Sequence, residues 1–333
     1  MTIGQRHEFG GEKVKKIPMP HGHHQIGGRG RRFRTYMSRY WTLYAMLALP
    51  LAYFTIFKYV PMTYIQIAFK KYSIVLSPWK MSLADNKGWQ YFIQAFQNRD
   101  FLYALRNTVM LNLLDLVIGF PAPIIFALIL NEMPFRRLKR FTQTVAYMPH
   151  FLSWIIIAGL ALQLFAPNTG LVNVWLGKIG IGPIPFLNES KSWVATYILL
   201  GVWQSVGWNS IIYLAAITGI NPTLYEAADI DGAGRMQKIR YITIPGIMNT
   251  IVVLLILNLG RILGSEFDRP FALRNALVNN VSNVISTFVY SAGIRGLQFS
   301  LTTAVGLFQS FVCVIFLLLS DAAAKRSGER GIV

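Results

Sequence analysis

Cysteine occurs once in the 333 residues, as Cys313, which excludes an intrachain disulfide and a thiolate-held cluster. Histidine is almost as scarce. Four of the five lie in the first 24 positions (His7, His21, His23 and His24), leaving His150 alone in the body of the chain. Acidic residues number 14 against 32 Lys and Arg, and charged residues make up only 14% of the sequence, well below the roughly 25% of an ordinary soluble domain. No G-x-x-x-x-G-K-[ST] phosphate loop is present, nor an H-E-x-x-H or G-x-S-x-G arrangement. What fills the space is apolar: 53% of residues are hydrophobic, with a mean hydropathy of +0.42. The expected fold is an all-α integral membrane protein built as one polytopic domain.

A membrane-crossing helix takes roughly 20 apolar residues, and six stretches qualify. They are Trp41 to Val60, Thr108 to Leu130, Thr144 to Phe165, Trp193 to Ile220, Ile247 to Leu263, and Leu301 to Leu319. Between them, Lys and Arg are distributed unequally: nineteen fall in 1–40, 131–143, 221–246 and the C-terminal tail, and eleven in 61–107, 166–192 and 264–300. The richer side is expected to be cytoplasmic, so both termini are placed there, in a multi-pass protein of the cell membrane. The net charge of +18 therefore reads as basic clusters beside hydrophobic segments, suited to anionic lipid, and not as a nucleic-acid surface. The apolar run after the basic N-terminus is too long for a signal core and lacks a cleavage site, so the first span is expected to be retained.

Residues 1–30 are rich in Gly, His and basic residues and read as a disordered, solvated tail. A short helix is expected at Leu171 to Lys178 in a turn-rich outer loop. Val281 to Tyr290 reads as an outer-surface helix, too short to span. Pro121 and Pro123 are expected to kink the second span.

The loop between the fourth and fifth spans is the most informative. Asn221 suits an N-cap and Pro222 the first helical position. Thr223 to Ile230 can form about two turns, and Gly232 suits a left-handed terminus. A second helix is expected from Arg235 to Tyr241, ending before Pro245. From these signals alone the loop could simply connect two spans. Its spacing says more: Glu226-Ala227-Ala228, three residues, Gly232, nine residues, Ile242, one residue, Ile244, Pro245. This resembles the EAA loop of ABC-importer permeases, with Ile244 where Leu is usual.

The resemblance extends to Asn131-Glu132, to Tyr147-Met148-Pro149-His150-Phe151, to Gly207 through Ala216, and to Ala304 through Gln309. All are similar to the oligosaccharide branch of the maltose-type permease family, and most of all to permeases of aldouronate- and alginate-type polysaccharide importers. The similarity covers about residues 38 to 320; in the outer segment 264–298, Asn283 and Ser291 stand where charged residues are expected. It implies a transport subunit for oligosaccharides, including acidic glycans, that works with a second related permease, two cytoplasmic ATPases that bind ATP and Mg, and an extracellular binding protein. It assigns Glu226, Ala227, Ala228, Asp231, Gly232, Ile242 and Pro245 to ATPase coupling. No cofactor or metal is expected on this chain.

Polar residues at membrane depth usually face protein or water. Asn112, Asp115, Gln163, Gln204, Asn209, Asn258, Arg261 and Gln309 are such residues. Asp115 reads as a structural partner. Gln204 and Trp208 share a helix face, as do Asn258 and Arg261. With Trp203 they form a proposed substrate pathway, since an aromatic face and an amide together suit a sugar. Arg261 suits a uronate carboxylate, or an internal acid such as Asp115 or Glu266. A permease for another solute such as a peptide, a membrane-embedded enzyme, and a channel or secondary carrier remain alternatives to a glycan importer.

Overall fold

The computed structural model describes residues 29–264, 266–326 and 328; the tail histidines His21, His23 and His24 lie outside them. The chain divides between Met62 and Thr63 into two units. In the first, helix α1 (Arg29–Phe54) passes into a wide turn at Thr55–Tyr59. Pro61 withholds the N–H that an ordinary helical turn would use there.

In the second unit, α2 (Gln90–Gln97) leads into α3 (Arg99–Leu114). Asn98 caps α3, its side chain accepting from Asp100 N (2.8 Å) and Phe101 N (3.3 Å). A wide turn at Asp115–Gly119 joins α3 to α4 (Pro121–Glu132). The helix loosens before the prolines rather than at them: Pro121 and Pro123 occupy the first turn of α4, where a missing N–H is tolerated. There follow α5 (Arg136–Tyr147), α6 (Trp154–Leu164), α7 (Leu171–Lys178) and α8 (Ser190–Thr218). Then come α9 (Pro222–Ile230), α10 (Arg235–Lys238), α11 (Met248–Leu259), α12 (Asp268–Leu273), α13 (Ile285–Val289) and α14 (Phe299–Arg326).

Four stretches are long and apolar enough to cross a membrane: Ser38–Phe69, Arg99–Glu132, Ser190–Thr218 and Phe299–Arg326. Two more are bent pairs, Arg136–Phe151 with Trp154–Leu164 at 103° and Arg235–Gly246 with Met248–Leu259 at 60°. The described residues are thus all-helical, without a strand, and carry four to six apolar spans. Thr144 to Phe165 does not form one straight helix. Pro149 lies in a tight helical turn, Met148–Phe151, just before the break at 152–153, and Ser153 adopts extended backbone and caps α6 by accepting from Ile156 N (3.4 Å). The eleven residues of α6 span only about 16 Å of a roughly 30 Å hydrocarbon core.

Between helices in lipid there is little hydrophobic drive; close packing of small residues and polar ties hold them instead. Helix α8 shows both. A side chain at Gly207 would overlap the backbone of Ala146 on α5, so the two helices meet backbone to backbone. Near its N-terminal end, Trp193 is fully buried and donates its indole N–H to Leu273 O (3.0 Å).

The segment Val281 to Tyr290 is not the surface helix its sequence suggests. Ile285 is 0% and Phe288 5% exposed, and both pack against Phe101, Ala104 and Leu301. Its helical spacing turns apolar residues toward α3, not toward lipid or water. Polar groups on α3 stitch it down: Thr108 Oγ1 accepts from Ile285 N (2.9 Å), and Asn107 Nδ2 donates to Asn280 O and Asn283 O (both 2.9 Å).

The same logic ends α11. The chain leaves helical geometry at Gly260, stranding carbonyls that a membrane interior cannot hydrate. Asn112 Nδ2 donates to Ile262 O (2.7 Å) and Gln309 Nε2 to Leu263 O (2.9 Å). Asn112→Leu or Gln309→Leu should each destabilise the fold by about 1–3 kcal/mol, the usual effect of stranding a buried acceptor. The expected readout is a lowered melting temperature of the detergent-purified protein; unchanged melting in both variants would show that these ties contribute nothing.

Candidate functional site

Helices α3, α4, α6, α8 and α11 and the segment after α11 enclose a cavity of about 480 Å³. Its charged lining comprises Asp115, Arg261, Glu266 and Arg269, and its neutral polar lining includes Gln204, Asn209 and Asn258. The turn at Asp115–Gly119 turns the Asp115 carboxylate to this space, while Gly201 and Ser205 keep the facing stretch of α8 slim.

Arg269 is the organising side chain. It is 6% exposed. Its Nη1 donates to Asp115 Oδ2 (2.8 Å), and its Nη2 to Asp115 Oδ1 (3.3 Å) and Tyr197 O (2.6 Å). The guanidinium lies over the Tyr197 ring at 3.7 Å from its centroid, with Trp154 at 5.5 Å. A Cβ at Gly201 would occupy the position of the guanidinium itself, so glycine there makes the slot. Asp115 therefore has a structural partner, but the partner is Arg269 and not Arg261. Sequence reasoning counted Arg269 only as a loop cation and passed over Tyr197 and Gly201. The available signal was a glycine on a long apolar helix together with an unpaired acid.

Among the proposed pathway residues, the structure brings Gln204, Asn258 and Arg261 to the cavity wall, with Asn209 beside them. Gln204 Nε2 also donates to His150 O (3.4 Å), and Asn258 Nδ2 to Leu254 O (2.8 Å). Trp203 and Trp208 are not part of this wall. Trp208 stacks on His150, with ring centroids 4.6 Å apart and planes 5° apart, so the imidazole covers one of its faces. Asn112 and Gln309 are engaged in the backbone ties described above, and Gln163 is exposed away from the cavity.

The loop after α8 forms a second candidate surface. Asn221 caps α9 by accepting from Thr223 N (3.1 Å). Helix α9 ends with Asp231 N on Ala227 O (3.0 Å), Ala233 N on Ala228 O (2.8 Å), and Gly232 at φ +72°. That backbone is the left-handed terminus that favours glycine. Glu226, Ala227 and Asp231 are exposed, and Ala228 half-buried. The second helical run is longer than expected and does not stop before Pro245: α10 passes without a break through a wide turn at Ile239–Thr243 into Ile244–Gly246. Ile242 falls in that wide turn and Pro245 just past it. The two arms are joined by Tyr225 Oη and Thr243 Oγ1 (2.9 Å) and by an ion pair between Lys238 and Asp229. No group of three or more His, Cys, Asp or Glu side chains that could hold a metal occurs among the described residues.

Residues 119–328 match the family described as binding-protein-dependent transport system inner membrane component, and the chain belongs to that family. It is similar to the polygalacturonan/rhamnogalacturonan transport system permease protein YteP of Bacillus subtilis (strain 168), at 42% identity over 87% of this chain and 89% of YteP. It is also similar to a chain of a bacterial ABC transporter involved in the import of the acidic polysaccharide alginate. That chain gives a TM-score of 0.80 at 38% identity, over 89% of this chain and 99% of that one. A bacterial alginate ABC transporter in complex with alginate pentasaccharide-bound periplasmic protein gives a TM-score of 0.82 at 38% identity, over 90% and 100%. Relatives of this kind are transport subunits and not enzymes.

Arg269→Gln should strand the Asp115 carboxylate. Because that side chain keeps 31% exposure, the effect should sit near the lower end of the roughly 3–5 kcal/mol seen when a buried pair is broken. Asp115→Asn combined with Arg269→Gln should regain part of the loss, and Gly201→Ala alone should resemble Arg269→Gln. Melting temperatures of the four proteins check this; a double variant less stable than Arg269→Gln would refute the pairing.

Proposed function

We propose that this chain is the permease subunit of an ATP-driven importer that carries oligosaccharides, acidic glycans included, into the cell. Its family supports the transport role, and the names of its relatives, which handle polygalacturonan/rhamnogalacturonan and alginate, support the glycan class. In this reading each bent pair crosses the membrane once, giving six spans with both termini in the cytoplasm. The tail 1–40 and residues 321–333 then flank a membrane domain over 41–320. A second, related permease chain completes the pathway, two cytoplasmic ATPases bind ATP and Mg, and an extracellular binding protein delivers the glycan.

The observation that carries the proposal is the geometry of the 221–246 loop in a chain of this family. It is the EAA coupling loop. Its exposed apolar side chains, Ile230 at 87% and Met236 at 74%, would be ill placed facing water but suit a cleft on a partner. Glu226 supplies a charge to that cleft, Ala227 and Ala228 allow close approach, and Gly232 holds the bend. The joined arms carry the partner's movement to α8 and α11, which border the cavity. Gln204, Asn258 and Arg261 meet the glycan there; Trp203 and Trp208 act outside the cavity, along the pathway shared with the second permease.

Gly232→Val places a β-branched side chain on left-handed backbone. In the reconstituted complex, uptake and binding-protein-stimulated ATP hydrolysis should fall at least tenfold while membrane insertion is kept. Full coupling at normal expression would sink the assignment of the loop. For the topology, single cysteines in a Cys313→Ser background should react with an impermeant reagent in intact cells at position 180 and not at position 235; the reverse pattern would overturn the orientation.

A further inference from the structure

Two guanidinium groups border the cavity, and they differ in what they have left to offer. Arg269 is consumed: both of its Nη atoms donate to protein, and Gly201 closes the space around it. Arg261 is exposed to the cavity, and its side chain makes no ion pair or hydrogen bond among the described residues. An arginine in a membrane domain usually faces water or a partner; Arg261 faces the cavity with no partner at ion-pair distance among the described residues, so its donors are open to an anion that enters.

The stem that carries Arg261 is fixed. Arg261 N donates to Asn258 O (3.0 Å), Gly264 N donates to Arg261 O (2.7 Å), and the next two carbonyls are held by Asn112 and Gln309. The backbone is fixed and the guanidinium fork is planar, so less freedom is lost per hydrogen bond formed, and a carboxylate can take two of its N–H groups at once. Around it the wall offers neutral amides, Gln204, Asn209 and Asn258, which can donate to and accept from sugar hydroxyls. One cation with several amides matches a sugar ring that bears one carboxylate and several hydroxyls.

We infer that Arg261 is the carboxylate subsite of the cavity, gripping a uronate carboxylate of the glycan in transit and giving the permease its preference for acidic over neutral chains. This rests on the glycan-import reading above. Glu266, the cavity acid that forms no ion pair among the described residues, is then a competitor of the substrate and not the resident partner of Arg261.

The test uses the whole complex, with its partner permease, ATPases and binding protein, in proteoliposomes. The probes are alginate and galacturonate pentasaccharides, the methyl-esterified galacturonate pentasaccharide, and maltopentaose. Wild type should take up at least one of the two acidic probes. Arg261→Gln should lower that uptake about tenfold or more while leaving the esterified or neutral probe within twofold of wild type. Arg261→Lys should fall between, since it keeps the charge and loses the fork. Glu266→Gln, which removes the competing carboxylate, should raise acidic uptake. Comparing each variant with wild type on the same probe cancels the selectivity of the binding protein. Equal uptake of acidic probe by wild type and Arg261→Gln overturns the inference, as does an equal loss for charged and uncharged probes, or reduced assembly in both Arg261→Gln and Glu266→Gln. A wild-type complex that moves maltopentaose but neither acidic probe also overturns it and leaves glycan import standing. One that moves none of the probes overturns both.

Discussion

The guanidinium of Arg269 fixes the interior of the membrane domain. It is borne on a short helix outside the apolar spans, yet it reaches the turn between α3 and α4 through Asp115 and the backbone of α8 at Tyr197, and it lies over the ring of Trp154 on α6. Segments far apart in sequence thereby share one centre, two of them through hydrogen bonds and α6 through its aromatic ring. Both Nη groups of this buried charge are used, while its Nε is buried without a hydrogen-bond partner. The cavity lies against this centre, so its wall is as fixed as the ion pair behind it.

A second constraint acts wherever a helix breaks. Water is not available to stranded backbone groups in the membrane interior, so side-chain amides from neighbouring helices take its place. Asn112 and Gln309 do this beyond α11, and Asn107 and Thr108 do it for the segment packed on α3. Several polar residues of the apolar helices do both jobs: Asn112, Gln204 and Asn258 each donate to a backbone carbonyl and also border the cavity.

Local chemistry was legible in the sequence, and distant pairing was not. The cap at Asn221, the left-handed Gly232 and the helix Leu171–Lys178 follow from residues within a few positions of one another. Asp115 and Arg269 are separated by 154 residues, and no periodicity links them; the sequence offers Asp115 only as one of two acids that could suit Arg261. The 103° break before α6 was hidden because Pro149 lies in a run apolar enough to resemble an uninterrupted span. The burial of Ile285 and Phe288 was missed for a related reason: an apolar face looks the same whether it meets lipid, a membrane surface or another helix.

The joined arms of the 221–246 loop have a mechanical consequence. Tyr225 on one arm is tied to Thr243 at the base of the other, and Lys238 to Asp229 across the bend. At the roots, Ile247 is buried with Tyr213 and Ile217 of α8, and Gly246 lies close against Ile220. The loop is thus a hairpin with two nested ties, one at its base and one across its bend, and two feet. A load applied to its exposed tip would be shared between both feet, and so between α8 and α11, rather than falling on one arm alone.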